Sequence, residues 1–419
     1  MSEFLMTTWA GAGNTPPMAS VARALVGRGH AVRVLVDELL REDFEATGAE
    51  VVAWSRAART ACGRDGDLIA DWEPGHPVEQ LARLRDRLAV GPAAQYAADT
   101  RTELERRRPD VLLCEQMLLG GLVAAQAAGV PAVLLNPTVD VAPAPGRPPF
   151  GFGLLPATTP EERVRDRELA AAGLAVWDEA LPALNAARAE HGLPPLDHTM
   201  DQVGSAARIL VLTSAAFDFP ADGVPPVVRV CGPRLDDAAW AGGDWAAPEG
   251  DAPLVLVALS SDYQAQEQAL QRIADALATL PVRALVTTGQ GIDPTTVRAG
   301  ANTRVVRAAA HREVLREAAL CVTHCGHGTT LKALAAGVPV VGVPLGRDQH
   351  DIAARVVHAG AGERVDPTAG PEAIAAAVRR VLATDSYREA AERLAAAIAE
   401  ETATDRVVDE LEALVAVAA

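Results

Sequence analysis

Residues 318–351, AALCVTHCGHGTTLKALAAGVPVVGVPLGRDQHD, constrain the fold more than any other part of the chain. The apolar run 318–322 reads as a buried parallel strand. A polar, glycine-rich turn follows at 323–330, then a helical segment at 331–336 that Gly337 stops. A second apolar strand, 338–343, ends at Pro344, and the loop 345–349 comes after it. Strand, helix and strand in this order form a βαβ unit. Two strand ends and one helix N-terminus then converge on the same side of a parallel sheet.

That convergence makes an anion site. The first turn of a helix carries N–H groups without intrahelical partners and a partial positive charge. Gly326 and Gly328 allow the backbone to approach a bound phosphate closely. His324 can donate to a phosphate oxygen, and Thr329 and Thr330 add hydroxyls. Asp348 and Gln349, on the next loop, suit the hydroxyls of a sugar. A diphosphate carrying a sugar fits this set of groups. The stretch holds neither a Gly-Lys-Ser/Thr loop nor a G-x-G-x-x-G fingerprint.

It resembles the nucleotide-sugar signature of GT-B glycosyltransferases, and most closely the bacterial natural-product (antibiotic and macrolide) branch of the UDP-glucosyltransferase superfamily. The matching residues are His324, Gly326, Gly328, Thr329 and Thr330, then Gly337-Val338-Pro339, Pro344 and Asp348-Gln349. The resemblance extends over nearly the whole chain, through RALVGRGHAVRVLV, TSAAFDFP, RVCGPRLDD and PVRALVTTG. It implies an α/β GT-B fold, two Rossmann-like doubly wound domains facing a central cleft. The N-terminal domain then binds the acceptor and the C-terminal one the nucleotide sugar. It also implies that backbone groups near Val314 read the pyrimidine base. No aromatic residue there separates thymidine from uridine.

Length supports two domains, since 419 residues exceed one ordinary core. The first runs over 1–235. Residues 236–250, rich in Gly, Asp and Trp, read as the linker, and the second domain covers 251–403. An amphipathic segment at 404–419 is expected to pack back on the first domain. Residues 3–9, 31–36 and 49–54 read as strands. A Gly-rich loop at 10–17 and a helix at 18–28 lie between the first two. Residues 55–92 read as irregular, and 136–160 as a Pro/Gly-rich loop whose Phe150 and Phe152 suit a wall for an apolar acceptor.

The net charge of −17 argues against sequence-independent nucleic-acid binding. No apolar run reaches membrane-spanning length, and no signal-peptide pattern opens the chain, so a cytoplasmic enzyme is expected. Cys62, Cys114, Cys231, Cys321 and Cys325 are scattered and odd in number, which suits reduced thiols. Cys321, His324, Cys325 and His327 lack a second ligand pair at zinc spacing, so neither a metal nor another cofactor is expected. A homodimer is compatible with the sequence.

Glycosyl transfer requires a stabilised leaving diphosphate, a fixed sugar, a base for the acceptor and exclusion of water. A helix dipole with His324 serves the diphosphate without metal, and Ser260 and Ser261, at a strand end, can add contacts. The base is where this chain departs from its resemblance. Relatives carry Gly-His-x-x-Pro in the first loop. Here the run is Gly13-Asn14-Thr15-Pro16-Pro17, and an amide is not basic. Where relatives carry an Asp to orient that histidine, this chain has Glu115. Three readings stay open. Asp140, first among Glu115, Asp71 and His76, replaces the base. Alternatively the acceptor is acidic enough to need little help, as a phenol or an activated ring carbon is. The third reading is a non-catalytic auxiliary partner of such a glycosyltransferase. A nucleotide-sugar epimerase on the same fold would line the cleft with carboxylates rather than an apolar wall. The leading expectation is an inverting glycosyltransferase that moves a hexose or deoxyhexose from a dTDP- or UDP-sugar to a small apolar acceptor.

Overall fold

The computed structural model describes residues 1–11, 13–57, 68–70, 72, 73, 75, 77–242 and 245–418. It contains two parallel sheets. The first is built from β1 (Glu3–Thr7), β2 (Ala31–Val36), β3 (Glu50–Ala53), β4 (Val111–Glu115), β5 (Ala132–Asn136), β6 (Arg208–Val211) and β7 (Val228–Val230). Its spatial order is β3-β2-β1-β4-β5-β6-β7. The second comprises β8 (Leu254–Ala258), β9 (Arg283–Thr287), β10 (Thr303–Val306), β11 (Ala318–Thr323), β12 (Val340–Gly342) and β13 (Gly362–Arg364). It runs β10-β9-β8-β11-β12-β13. Both sheets are doubly wound, and each reverses its order once, between β1 and β4 and between β8 and β11. At such a reversal the connecting helices leave toward opposite faces, and a crevice opens beyond the strand C-termini.

Strand alternation divides the side chains between two covered faces. In β1, Phe4 and Met6 enter one cluster with Met18 and Leu25, while Leu5 enters another with Leu112 and Leu122. In β8, Val255 and Val257 pack with Ile273, whereas Leu254 and Leu256 pack with Leu331 and Leu334. With aromatics at 4% of the chain, these cores are filled chiefly by Val, Leu and Ala. The helix Arg406–Ala418 lies against the first sheet, where Val407, Val408 and Leu411 join the Phe4–Met18 cluster. Arg28 binds Asp409 and Glu412 on it at 3.0 Å each.

Several sequence expectations are corrected. The helix expected at 331–336 is His327–Ala335, so Gly328, Thr329 and Thr330 belong to its first turn. The helix expected from Met18 begins at Thr15, with Pro16 and Pro17 in its first turn, where a missing N–H costs nothing. Residues 77–89, read as irregular, form the helix Pro77–Leu84 and a single wider turn, Arg85–Ala89. Leu81, Leu84 and Leu88 recur at helical spacing there, a signal masked by the Gly and Pro before them. Glu115 is the last residue of β4 rather than the first beyond it. The helix Gln349–His358 and β13 were not foreseen. Among the described residues no helix is long and apolar enough to cross a membrane.

Candidate active site

The candidate residues collect at the two order reversals. Asn14 follows β1 and Glu115 ends β4. Ser260 and Ser261 follow β8, and His324 and Gly326 follow β11. Neither pair is adjacent in sequence. The topology alone brings each together.

In the second sheet the chain leaves β11 through His324 and Cys325, and Cys325 takes a left-handed φ of 63°. That turn redirects the backbone so that Gly326 caps the helix His327–Ala335. A Cβ on Gly326 would lie 2.5 Å from His324 Nε2, so the imidazole occupies space only glycine leaves free. The first intrahelical bond runs from Thr330 N–H to Gly326 O at 3.0 Å. The N–H groups of His327, Gly328 and Thr329 therefore precede the helical ladder and are the ones available to an anion. Thr330 is corrected: its N–H is used in that bond and its side chain is fully buried. Burial pushes His324 down to about 4 against a hydrogen bond to the Ala258 backbone that raises it, with Arg347 lowering it further, so the ring is neutral and its one N–H is engaged by Ala258. His327 turns away from this turn, and its Nε2 lies 2.9 Å from Thr213 Oγ1 of the first domain.

Around this turn Ser260 is buried and its carbonyl accepts from Gln266 Nε2 at 3.1 Å, which fixes the loop after β8. Arg347 pairs with Asp262 of that loop at 2.8 Å. Val314 lies in the short helix His311–Val314 and is fully buried. Its N–H donates to Ala310 O and its carbonyl accepts from Glu317 N–H. The Val314 N–H is thus used within its own turn, and its carbonyl keeps one lone pair for a further donor.

Asp348 and Gln349 start the helix Gln349–His358. Asp348 Oδ2 accepts the Thr138 hydroxyl of the first domain at 2.6 Å. Gln349 is 2% exposed, and its Oε1 accepts two backbone N–H groups, from Leu345 at 2.7 Å and Gly346 at 3.1 Å. The same helix carries two further ties across the cleft. Asp351 accepts from Gly151 N–H at 2.9 Å, and Arg355 pairs with Asp218 at 2.8 Å.

At the first sheet, Asn14 Nδ2 donates to Glu115 Oε1 at 3.3 Å, while Met117 N–H donates to Oε2 at 2.8 Å. Glu115 is 1% exposed, and burial pushes its carboxyl up to about 8, a rise the Met117 N–H only partly offsets. Asn14 is half-buried in front of it. Asp140, the first-choice base, is corrected. It is 4% exposed and held by Arg147 Nη1 at 2.6 Å and Ala142 N–H at 3.1 Å. A carboxylate held in this way by a guanidinium and a backbone N–H ties its loop in place. Asp71, His76 and Cys62 lie outside the described residues. Cys114, Cys231, Cys321 and Cys325 are buried free thiols.

Sequence reasoning missed Thr138, Thr213, Asp218 and Arg355, which join the two domains, and Arg147, which holds Asp140 and lies 3.7 Å from Asp218 within the first of them. A signal for them existed in Asp348, Asp351, Arg355 and His358, which recur at helical spacing, but no helix was expected there.

Two doubly wound parallel-sheet domains are the architecture of GT-B glycosyltransferases. The model of the UDP-glucoronosyl and UDP-glucosyl transferase family matches residues 185–411, more than half of the chain, and the chain belongs to that family. It is similar to 4'-demethylrebeccamycin synthase of Lentzea aerocolonigenes, at 29% identity over 430 residues, covering 99% of this chain and 100% of the relative. Oleandomycin glycosyltransferase of Streptomyces antibioticus is 29% identical over 421 residues, covering 98% and 90%. Among solved structures, the glycotransferase of kitacinnamycin superposes with a TM-score of 0.75 at 25% identity, covering 99% of this chain and 98% of that one.

Proposed function

We propose that the chain is an inverting glycosyltransferase that moves a hexose or deoxyhexose from a dTDP- or UDP-sugar to a small apolar natural-product acceptor. The carrying observation is the Thr138–Asp348 bond, which brings the acceptor-side loop after β5 onto the start of the donor-side helix Gln349–His358. Residues 1–235 with 404–419 hold the acceptor, 236–250 link, and 251–403 hold the donor. The leaving diphosphate sits on the free N–H groups of the helix His327–Ala335, with the His324 ring, fixed by its bond to the Ala258 backbone, walling the turn. The dipole and those donors meet the charge that develops there, so no metal is required.

Asn14 and Glu115 stand at the acceptor end. Ionised Glu115 is an acceptor only, so Asn14 turns its NH2 toward it and its carbonyl oxygen toward the cleft. That oxygen receives the acceptor's X–H and orients it for attack on the anomeric carbon. It polarises the X–H bond but does not keep the proton. The proton passes to water as the bond to the anomeric carbon forms and the diphosphate departs, which favours an acidic nucleophile such as a phenol over an aliphatic alcohol. Retention of the phosphate-binding turn speaks for an enzyme over an auxiliary partner.

Calorimetry with dTDP and UDP, followed by transfer assays over acceptors of graded acidity and NMR of the anomeric configuration, tests this. Tight binding of one nucleotide, an inverted product and rates that climb with acceptor acidity are expected. Absence of nucleotide binding, or retention of configuration, contradicts it.

A further inference from the structure

The loop after β8 spans the donor side of the cleft. It starts beside the diphosphate turn, because Ala258 at the end of β8 pairs with Thr323 at the end of β11. It ends beside Asp348, where Gln264 Oε1 accepts from Gln349 Nε2 at 2.9 Å. Gln266, 1% exposed, folds the loop from within. Its Oε1 accepts Gln264 N–H at 2.6 Å, and its Nε2 donates to Ser260 O at 3.1 Å and Asp262 O at 3.0 Å. Arg347 pairs with Asp262 from outside. Ala265 and Arg347 hold left-handed φ angles of 53° and 54°. Non-glycine residues keep such strain only where their surroundings fix it. This frame carries Tyr263.

Trp72 of the first domain stands opposite. Ile69, just before it, is buried in the cluster of Trp9 and Trp54, and Trp9 leads into the Asn14 loop. Arg83 Nη1 donates to Ala70 O at 3.3 Å and to Glu73 O at 2.9 Å, and Arg87 Nη1 donates to Ile69 O at 3.2 Å. The backbone on either side of Trp72 is thus tied to the helix Pro77–Leu84 and the wider turn after it. The Trp72 and Tyr263 rings meet edge to face, with centroids 5.5 Å apart and planes at 75°. Both residues are half-buried. The pair bridges the cleft from the acceptor side to the donor side, and each ring is anchored in its own domain.

We propose that Trp72 and Tyr263 are positioning residues, a clasp that shuts the cleft over the reacting sugar and keeps water from its anomeric carbon. This rests on the nucleotide-sugar reading above. An acceptor attacked without a strong base reacts slowly, and water competes for the same carbon. In that competing step a water oxygen bonds to the anomeric carbon. The bond from that carbon to the diphosphate oxygen breaks, its electron pair leaves on the diphosphate, and the water proton passes to solvent. Closing a site against water is what suppresses such a side reaction. An edge-to-face ring pair suits a clasp because it is apolar and parts without breaking an ion pair.

The test is release of free sugar from dTDP-glucose and UDP-glucose in the absence of acceptor. Wild type is compared with Trp72→Ala, Tyr263→Ala, the double variant and Trp72→Phe, and calorimetry gives the affinities for each donor, dTDP and UDP. Losing one aromatic pair shifts an open–closed balance roughly two- to tenfold, so hydrolysis per bound donor should rise by about that factor in each Ala variant. The double variant should rise no further than either single one, because one contact is lost in all three. Trp72→Phe, which keeps a ring, should stay near wild type, and affinity for the free nucleotides should be unchanged throughout. Hydrolysis equal to wild type in the Ala variants, or rises that multiply in the double variant, overturns the clasp. So does a loss of nucleotide affinity that parallels the rise. If the donors bind and hydrolysis does not respond, only the clasp falls. If neither nucleotide nor its sugar binds, the glycosyl-transfer reading falls with it.

Discussion

At the scale of single residues, the acceptor site depends on the protonation of one buried carboxyl. Glu115 titrates at about 8 because burial disfavours its charge. Below that pH it carries a proton and can donate to Asn14, which then turns its NH2 toward the cleft. Above it, Asn14 donates and its oxygen meets the acceptor. The transfer rate should therefore rise with pH through about 8, and Glu115→Gln should lack that rise. Stability should move the other way. The folded state holds the proton where the unfolded chain, at the ordinary 4.5, has lost it. Wild type should lose stability relative to Glu115→Gln as pH rises from about 5 to 8 in denaturant titrations. Asn14→His places a basic ring beside Glu115, and turnover of an aliphatic alcohol should increase up to about a hundredfold. An unchanged rate would separate Asn14 from the acceptor. His324→Ala removes the imidazole wall of the diphosphate turn, and affinity for the nucleotide diphosphate should fall roughly 10–100-fold by calorimetry. These positions were legible in the sequence as a motif and its departures. Their partners were not, because Glu115 and Asn14 are 101 residues apart and Thr138 and Asp348 are 210 apart. Only strand order makes them neighbours.

At the scale of elements, the helix Gln349–His358 holds the two domains together along one stripe. Asp348, Asp351 and Arg355 reach Thr138, Gly151 and Asp218, and His358 packs edge-on to Phe219 with ring centroids 5.2 Å apart. Arg355 also lies over the Phe219 ring at 4.2 Å. Arg355 and Asp218 are 2% and 5% exposed at their side chains, and without Arg355 the buried Asp218 keeps Arg147 at 3.7 Å and the Phe219 N–H at 2.8 Å. Arg355→Met should cost about 1–3 kcal/mol of stability, because Asp218 keeps these other partners. In a double-mutant cycle with Asp218→Leu, the pair should recover much of that loss, and additive losses would show that the two are not coupled. The sequence disclosed the strands here because apolar runs are local signals. It hid this helix because its docked face is polar, Asp, Asp, Arg and His, and only a partner surface makes such a stripe a buried one. Asp140 was misread for the same reason. A lone Asp in a Pro/Gly loop looks like a free carboxylate until Arg147 folds back onto it.

At the scale of the whole molecule, the two sheets repeat one winding, and the doubling was legible from length and from two restarts of the strand–helix rhythm. What the sequence suggested only weakly was the route of the chain, which visits the first sheet, builds the second, and returns. The helix Arg406–Ala418 closes the Phe4–Met18 cluster, and Arg234 pairs with Asp405 just before it. On the ribosome this return imposes an order of events. The first sheet emerges whole while the groove destined for Val407, Val408 and Leu411 stays open, and it closes only once the helix Arg406–Ala418 has been synthesised. The half of the molecule made first is therefore finished last, and the second half, flanked by both crossings, is synthesised while the first is still unsealed.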